Sequence, residues 1–498
     1  MNRNPLDKEL QHISGMNTAS QALVQRMAAP GLAILFLALV AMWAGAAVGQ
    51  TPTSIVVVIG AIVAGYMALN IGANDVANNM GPAVGARALT MPVALLIAAI
   101  CEAAGALLAG SDVVETVASD LLVGFNIAPT SFVLVMISAL LAAAMWVHLS
   151  TFIGAPVSTT HSIIGGVTGA GIAAAGLSAV SWPDIFIIAF GWMVSPIAGG
   201  AIAALLLFLT QVTITGRIDK LRAARTWVPV FVAVMVGTFT MYLVDKGLQH
   251  VWARGAVTIV TLGLIAAGVG WAIAFSRVRL RSLALENRKK HVATLFRLPL
   301  ILAAGLLSFS HGANDVSNAI GPLAAVVSML SRGTTDVSTD LPFWVLSIGA
   351  FGISVGLALF GPRLIRTVGE QITKLNEIRA FCAALSTGLT VLVASALGMP
   401  VSTTHIAIGA VFGIGFLREY RSRREMERKS VPIYARFVDP RALNATPEMA
   451  FANAREADHR RLIRRQSVYG IMGAWVVTLP SSALLGALVF FLVSRFAL

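Results

Sequence analysis

Charge is what this sequence has least of. Only 12% of its 498 residues are Asp, Glu, Lys or Arg, while 57% are hydrophobic and the mean hydropathy is +0.81. A soluble domain carries about twice that charged share, so the water-soluble class is excluded. Cysteine is almost missing as well. Cys101 and Cys382 both lie in apolar stretches far apart in the chain, which excludes a disulfide framework and a cysteine metal site and leaves core packing. The eight histidines do not gather at zinc-ligand spacing and no H-E-x-x-H pair occurs, so the chain is read as a non-enzyme with no resident cofactor. A signal peptide is not recognisable either. Met1–Ala29 is polar and mixed in charge, and the first apolar run, 31–48, reads as a retained helix.

What the chain has instead is apolar length. Stretches able to span a bilayer lie near 31–48, 54–71, 90–110, 130–149, 184–211, 228–245, 255–275, 298–311, 342–361, 379–397 and 468–495. Two further Gly-rich stretches, near 158–177 and 402–417, each begin inside or just after a Pro-Val-Ser-Thr-Thr-His run. The fold class is therefore an all-α integral membrane protein with about 11–13 membrane segments, and the lipid bilayer is its first partner.

The net charge of +13 has a location that explains it. With the N-terminus inside, the N-terminal segment, the Arg87 turn and the loops at 213–227, 276–297, 362–379 and 418–466 all fall on one side and hold 32 of the 36 Lys and Arg. Lys246, Arg254, Arg332 and Arg495 are left for the other side. That bias follows the positive-inside rule, so the basic excess sets orientation and needs no nucleic-acid partner. The N-terminus is expected in the cytoplasm and the C-terminus outside.

The most informative pattern is a duplication. Residues 72–82 read GANDVANNMGP and residues 312–322 read GANDVSNAIGP, while 156–161 and 400–405 both read PVSTTH. The spacing from Asn74 to Ser158 is 84 positions and from Asn314 to Ser402 is 88. The loop-charge topology brings the first GAND segment in from outside and the second from inside, so the repeats are inverted, a construction typical of secondary transporters. The expected division is an N-terminal segment with an extra helix (1–53), a first repeat (54–211), connecting helices with a basic loop (212–297), and a second repeat (298–498) carrying a basic insert at 418–466. The polar residues crowding each GAND segment predict an interrupted helix there, because unpaired polar groups in lipid cost several kcal/mol each. Each PVSTTH reads as the tip of a re-entrant hairpin or as a tight turn between two crossings.

These motifs suit an anion and a cation. As hairpin tips, Ser158, Thr159, Thr160 and Ser402, Thr403, Thr404 open helices whose free N–H groups and positive dipole ends favour an anion, and the hydroxyls add donors. No Arg or Lys occurs in either motif, which favours a site that releases its anion. Asp75 and Asp315, with Asn74, Asn78, Asn314 and Asn318, offer hard oxygen ligands for sodium or a protonatable carboxylate. Glu102, His161 and His405 are candidates for coupling; Glu102 has no acidic counterpart in the second repeat, where Ile353 and Ser354 stand. An anion channel is the rival reading. Internal aspartates beside the anion site favour ion coupling, whereas pores use rings of basic side chains.

On these residues the chain resembles the inorganic phosphate transporter family, whose mark is a duplicated GANDxxN element and a duplicated Pro-[VI]-Ser-[ST]-[TS]-His element in inverted halves. The similarity covers roughly 54–211 and 298–495. It implies symport of inorganic phosphate, in some relatives as a metal–phosphate complex, with sodium or protons as the co-transported cation, in a bacterial inner membrane. It also implies a cation role for the Asp and Asn residues above and an oxyanion role for the Ser and Thr residues. Some relatives carry sulfate, which is the alternative substrate. The oligomeric state stays open, a homodimer included. The extra helix at 31–48 and the position of the basic insert depart from the family pattern.

Overall fold

The computed structural model describes residues 5–497 except 124–127, 156, 248–254, 335–336, 338–340, 372–374 and 430–464. The described chain is helical almost throughout, with one isolated bridge between Leu122 and Val180. In order, the helices are α1 (Pro5–Val48), α2 (Ser54–Gly85), α3 (Met91–Ala109), α4 (Ser111–Glu115), α5 (Pro129–Ile153), α6 (Thr159–Ala175), α7 (Trp182–Thr210) and α8 (Lys220–Tyr242). They continue as α9 (Ala256–Ser282), α10 (Lys289–Thr294), α11 (Arg297–Asp315), α12 (Ser317–Arg332), α13 (Phe343–Gln371), α14 (Glu377–Ala396), α15 (Thr403–Lys429) and α16 (Arg465–Ala497). Among the described residues, eleven helical segments are long and apolar enough to span a bilayer, and they coincide with the eleven apolar stretches of the sequence.

The polarity is inverted relative to a soluble protein. Ile34, Met42, Ile197, Val257 and Leu484 lie on the outside, while Asp75, Glu102, His311 and Asp315 are buried. An apolar exterior around a polar centre is stable only in lipid, and the chain is an integral membrane protein.

The two repeats interlock at glycines. A Cβ on Gly72 of α2 would sit 2.0 Å from the Ile353 carbonyl of α13, and one on Gly312 of α11 would sit 2.0 Å from the Glu102 carbonyl of α3. The reciprocal faces behave alike, with Gly356 against Leu69 O and Gly105 against Phe309 O, both at 2.0 Å. Farther out, Gly169 of α6 packs on Ala483 of α16, and Gly413 of α15 packs on Gly200 of α7. Helices of one repeat are thus seated on helices of the other at backbone contact, the small-residue packing that replaces the hydrophobic effect between helices in lipid. Helices α8 and α9 stand between the repeats and pack on each other at Gly237 and Gly263.

One sequence expectation holds for one repeat and needs correction for the other. The first GAND segment does not interrupt its helix: α2 runs unbroken through residues 72–82. The second is broken only at Val316, between α11 and α12. The polar side chains are tolerated because they bond to the opposing hairpins and to α3, so the backbone need not open. The break lies instead at PVSTTH. α5 stops at Gly154, in the left-handed region at φ 82°, and α6 starts at Thr159; α14 ends before Gly398, at φ 66°, and α15 starts at Thr403. Pro156 of the first run, and residues 430–464 of the basic insert, lie outside the described residues. The sequence Gly352-Ile-Ser354-Val-Gly356 has the spacing of a nucleophile elbow, but it lies inside α13, where Ser354 donates to the carbonyls of Ala99 and Ala350. A hydrolase needs that serine on a strand-to-helix turn, which α13 does not provide.

Candidate functional site

The two hairpins meet tip to tip. Thr160 Oγ1 donates to the Val401 carbonyl at 3.0 Å, and the rings of His161 and His405 stand edge-on with centroids 4.6 Å apart. Each tip is clamped by the first Asn of its own repeat. Asn74 Nδ2 donates to Val157 O at 3.0 Å; Asn314 Nδ2 donates to Met399 O at 3.1 Å, and its Oδ1 accepts from Val401 N at 3.2 Å. Asn74 and Asn314 therefore spend their amides on the hairpins.

The carboxylates sit where the tips converge. Asp75 Oδ1 accepts from Thr404 Oγ1 at 3.0 Å, and Asp315 Oδ2 accepts from Thr159 Oγ1 at 3.1 Å, so each aspartate reaches the opposite repeat. Thr159 also approaches Asp75 Oδ2 at 3.3 Å, and Thr403 approaches Asp315 Oδ2 at 3.4 Å. The second Asn of each motif repeats the crossing: Asn78 donates to Thr404 Oγ1 at 2.9 Å and Asn318 to Thr160 Oγ1 at 3.2 Å. All of these groups are buried. Two buried carboxylates that share the hydroxyls of Thr159, Thr403 and Thr404 bring hard oxygen atoms together in a set suited to a small cation.

Ser158 and Ser402 have a local task. Their hydroxyls accept from the backbone N–H of His161 at 3.1 Å and of His405 at 3.3 Å, the side-chain cap expected where a helix begins. The N–H groups of Thr403 and Thr404 find no acceptor among the described residues. They are the orphan donors of a helix start and remain available to an anion. His161 packs on Trp192, with ring centroids 3.9 Å apart.

One central residue escaped the sequence reading. His311 precedes the second GAND and is completely buried. Its Nε2 lies 3.4 Å from Asp315 Oδ2 and 3.6 Å from Asp75 Oδ2, and its Nδ1 lies 3.2 Å from Glu102 Oε2. One ligand atom each from Asp75, His311 and Asp315 lie within 4.8 Å of one another. Glu102 is held in turn by Asn79 Nδ2 at 2.8 Å. The signal was available in the duplication, because these are positions where the repeats disagree. Ile71 stands opposite His311, and Ala319 opposite Asn79.

A cleft of about 590 Å³, open solvent included, reaches the centre. Asn78 lies in its wall together with Gly81, Gly85, Thr387, Ala407 and Val411, so it runs between α2, α14 and α15. Its far residues, Gly85 and Leu375, adjoin the Arg87 turn and the 362–379 loop, both assigned to the cytoplasm by loop charge. The equivalent positions of the first repeat are more tightly filled. Fully buried Ile163 stands where Ala407 lines the cleft, and Gly321, the counterpart of Gly81, is covered by Val117.

An interlocked pair of repeats with helix starts facing paired buried carboxylates is a construction typical of membrane transport proteins. Comparison with known proteins gives that class a family. The family model described as "Phosphate transporter family" matches residues 71–486, and the chain belongs to that family. A "Putative phosphate permease" of Helicobacter pylori strain J99 is 41% identical over 97% of this chain and 98% of its own length. The "Inorganic phosphate transporter 2-1, chloroplastic" of Arabidopsis thaliana is 36% identical over 72% of this chain and 65% of its own. A solved structure described as "The sodium-dependent phosphate transporter" superposes with a TM-score of 0.76 at 33% identity, covering 89% of this chain and 99% of that one.

Proposed function

We propose that this protein carries inorganic phosphate across the membrane by symport with a cation held between Asp75 and Asp315. The observation that carries the reading is the crossed pairing of Asp75 with Thr404 and Asp315 with Thr159. A cation there links both hairpins, and its charge stabilises an anion at the adjacent helix starts. Loss of the cation weakens the anion's hold, so the two leave together. In this reading Thr404 and the N–H groups of Thr403 and Thr404 meet the phosphate, Asn78 guides it into the cleft, and Ser158 and Ser402 act through the helices they cap. The tighter filling of the first repeat and the open cleft of the second fit a state facing the cytoplasm.

Sodium is the first choice for the cation, supported by the oxygen-rich cluster and by the printed description of the structural neighbour. A proton is the second reading. His311, set among Asp75, Asp315 and Glu102, favours it, since histidine is a poor sodium ligand and a good proton carrier.

Reconstitution in liposomes separates these readings. Uptake of labelled phosphate should be driven by an inward sodium gradient at constant pH. Uptake driven only by a pH gradient assigns the coupling to the proton, and saturable flux that needs neither gradient defeats symport. Unlabelled phosphate should compete far better than sulfate, because phosphate can donate a hydrogen bond to a carboxylate and sulfate can only accept. Equal competition by sulfate would move the substrate assignment to the sulfate-carrying relatives.

A further inference from the structure

Away from the transport site, the packing of α8, α9 and α11 leaves two adjoining clefts that share Arg281 and Leu298. The first, about 440 Å³ with open solvent included, is walled by Val228, Val232, Ala274, Val278, Leu295 and Pro299, and Arg277 and Arg281 are its charged members. The second, about 860 Å³ on the same measure, adds Thr294 and Arg297.

The charges around them are poorly balanced. Arg297 lies 3.5 Å from Glu377, and Glu286 is paired with Arg288. Arg277 and Arg281 are exposed and make no ion pair or side-chain hydrogen bond with any described residue. The neighbouring helix surface is apolar and open, with Ile273, Leu280 and Leu302 exposed toward the bilayer. Two unpaired guanidinium groups at one end of a greasy furrow match a molecule with a phosphate at one end and hydrocarbon at the other. A free phosphate would use the arginines and gain nothing from the furrow.

From this geometry we infer a binding site for an anionic phospholipid, with its headgroup phosphate on Arg277 and Arg281 and one acyl chain in the furrow between α8, α9 and α11. Loop charge places the arginines at the cytoplasmic end of α9, so the lipid belongs to the cytoplasmic leaflet, the leaflet where basic juxtamembrane residues meet anionic headgroups. That choice of leaflet rests on the loop-charge orientation; the site itself does not, nor does it depend on which cation or anion is carried. The lipid joins the connecting pair α8–α9 to α11, the helix that carries His311 and Asp315.

The full-length protein in detergent provides the test. By native mass spectrometry it should retain phosphatidylglycerol in preference to phosphatidylcholine, and phosphatidylglycerol should raise its melting temperature where phosphatidylcholine does not. Replacing both guanidinium groups (Arg277→Gln with Arg281→Gln) removes charge-assisted bonds from exposed side chains and should lower phosphatidylglycerol occupancy by about tenfold. Inorganic phosphate at the same concentration should not displace the lipid. Equal retention of the two lipids, or equal phosphatidylglycerol binding by native and doubly substituted protein, would reduce the cleft to ordinary lipid contact and overturn the site. Displacement by inorganic phosphate would overturn it as well, by making it a free-anion site.

Discussion

The two repeats share their architecture and differ at the places that decide direction and coupling. Gly72 and Gly312 make the same backbone contacts, and Asn74 and Asn314 clamp the same loops. Yet Gly81 faces open space while Gly321 is pressed against Val117, and Ala407 lines a cleft while its counterpart Ile163 is sealed. Val117 belongs to the segment after α4, which is fixed by Thr116 donating to the Gly398 carbonyl at 2.8 Å and by Lys246 on Asp112 at 2.5 Å. The second difference is chemical. Asn79, Glu102 and His311 form a polar string whose counterparts in the other repeat are Ala319, the Ile353–Ser354 pair and Ile71. Symmetry builds the frame and supplies matched ligands. Departures from symmetry select the open side and load the centre with an extra acid and base.

The strongest test of the symmetric part is to remove either carboxylate. Asp75→Asn and Asp315→Asn should each reduce gradient-driven phosphate uptake to that of protein-free liposomes, with folded protein still present by size-exclusion chromatography. Transport with unchanged cation dependence in one variant would make that aspartate structural and the site one-sided.

Next in size is the asymmetric string. Glu102→Gln and His311→Gln should each cut the uptake rate by an order of magnitude or more, since removing one partner leaves the other buried without compensation, worth about 3–5 kcal/mol for an ion pair. They should also alter its dependence on pH or sodium. A loss of rate with both dependences unchanged would mark the string as a packing device.

The hydroxyls sharpen the comparison further. Thr404 bonds to Asp75 and Asn78 beside the cleft, whereas Thr160 bonds to the opposite tip. Thr404→Val should therefore raise the apparent phosphate constant by roughly tenfold to a hundredfold, the worth of one hydrogen bond to a charged group. Thr160→Val should change that constant less and lower the melting temperature more. Equal effects on the constant would restore strict symmetry to the anion site.

The smallest effects probe the seal. With Cys101 and Cys382 replaced, Ala407→Cys should react with a thiol reagent in detergent about tenfold faster than Ile163→Cys, in line with their burial. Gly81→Ala should be nearly neutral, while Gly321→Ala meets Val117 at 2.9 Å and should cost about 1–3 kcal/mol, the usual penalty of overpacking. Equal labelling of the two cysteines would remove the open and closed assignment.

Much of this was legible in the residues. Apolar runs located the eleven spanning segments because a lipid solvent leaves the backbone little choice but the helix. The PVSTTH runs located two helix starts, at Thr159 and Thr403, since Pro, Ser and Thr are favoured where a helix begins. Asp75 and Asp315 stood out because isolated carboxylates in apolar sequence demand partners. His311 did not, because a lone histidine beside a repeated motif looks like a local variation until its three acidic neighbours, two of them far away in the chain, are seen around it. The expected break at the first GAND segment failed for a related reason: the sequence shows polar side chains in a helix but not the hydroxyls that satisfy them.

The sequence alone determined the solvent, the helix content, the duplication and the residue types at the centre, all of which depend on local composition and period. Only the tertiary structure decided which repeat seals, which asparagines hold loops and which face the carboxylates, and that Glu102 and His311 belong to the same site. Those outcomes depend on contacts between segments up to several hundred residues apart, such as Val117 against Gly321 where Gly81 meets open space, and no local pattern carries that distance.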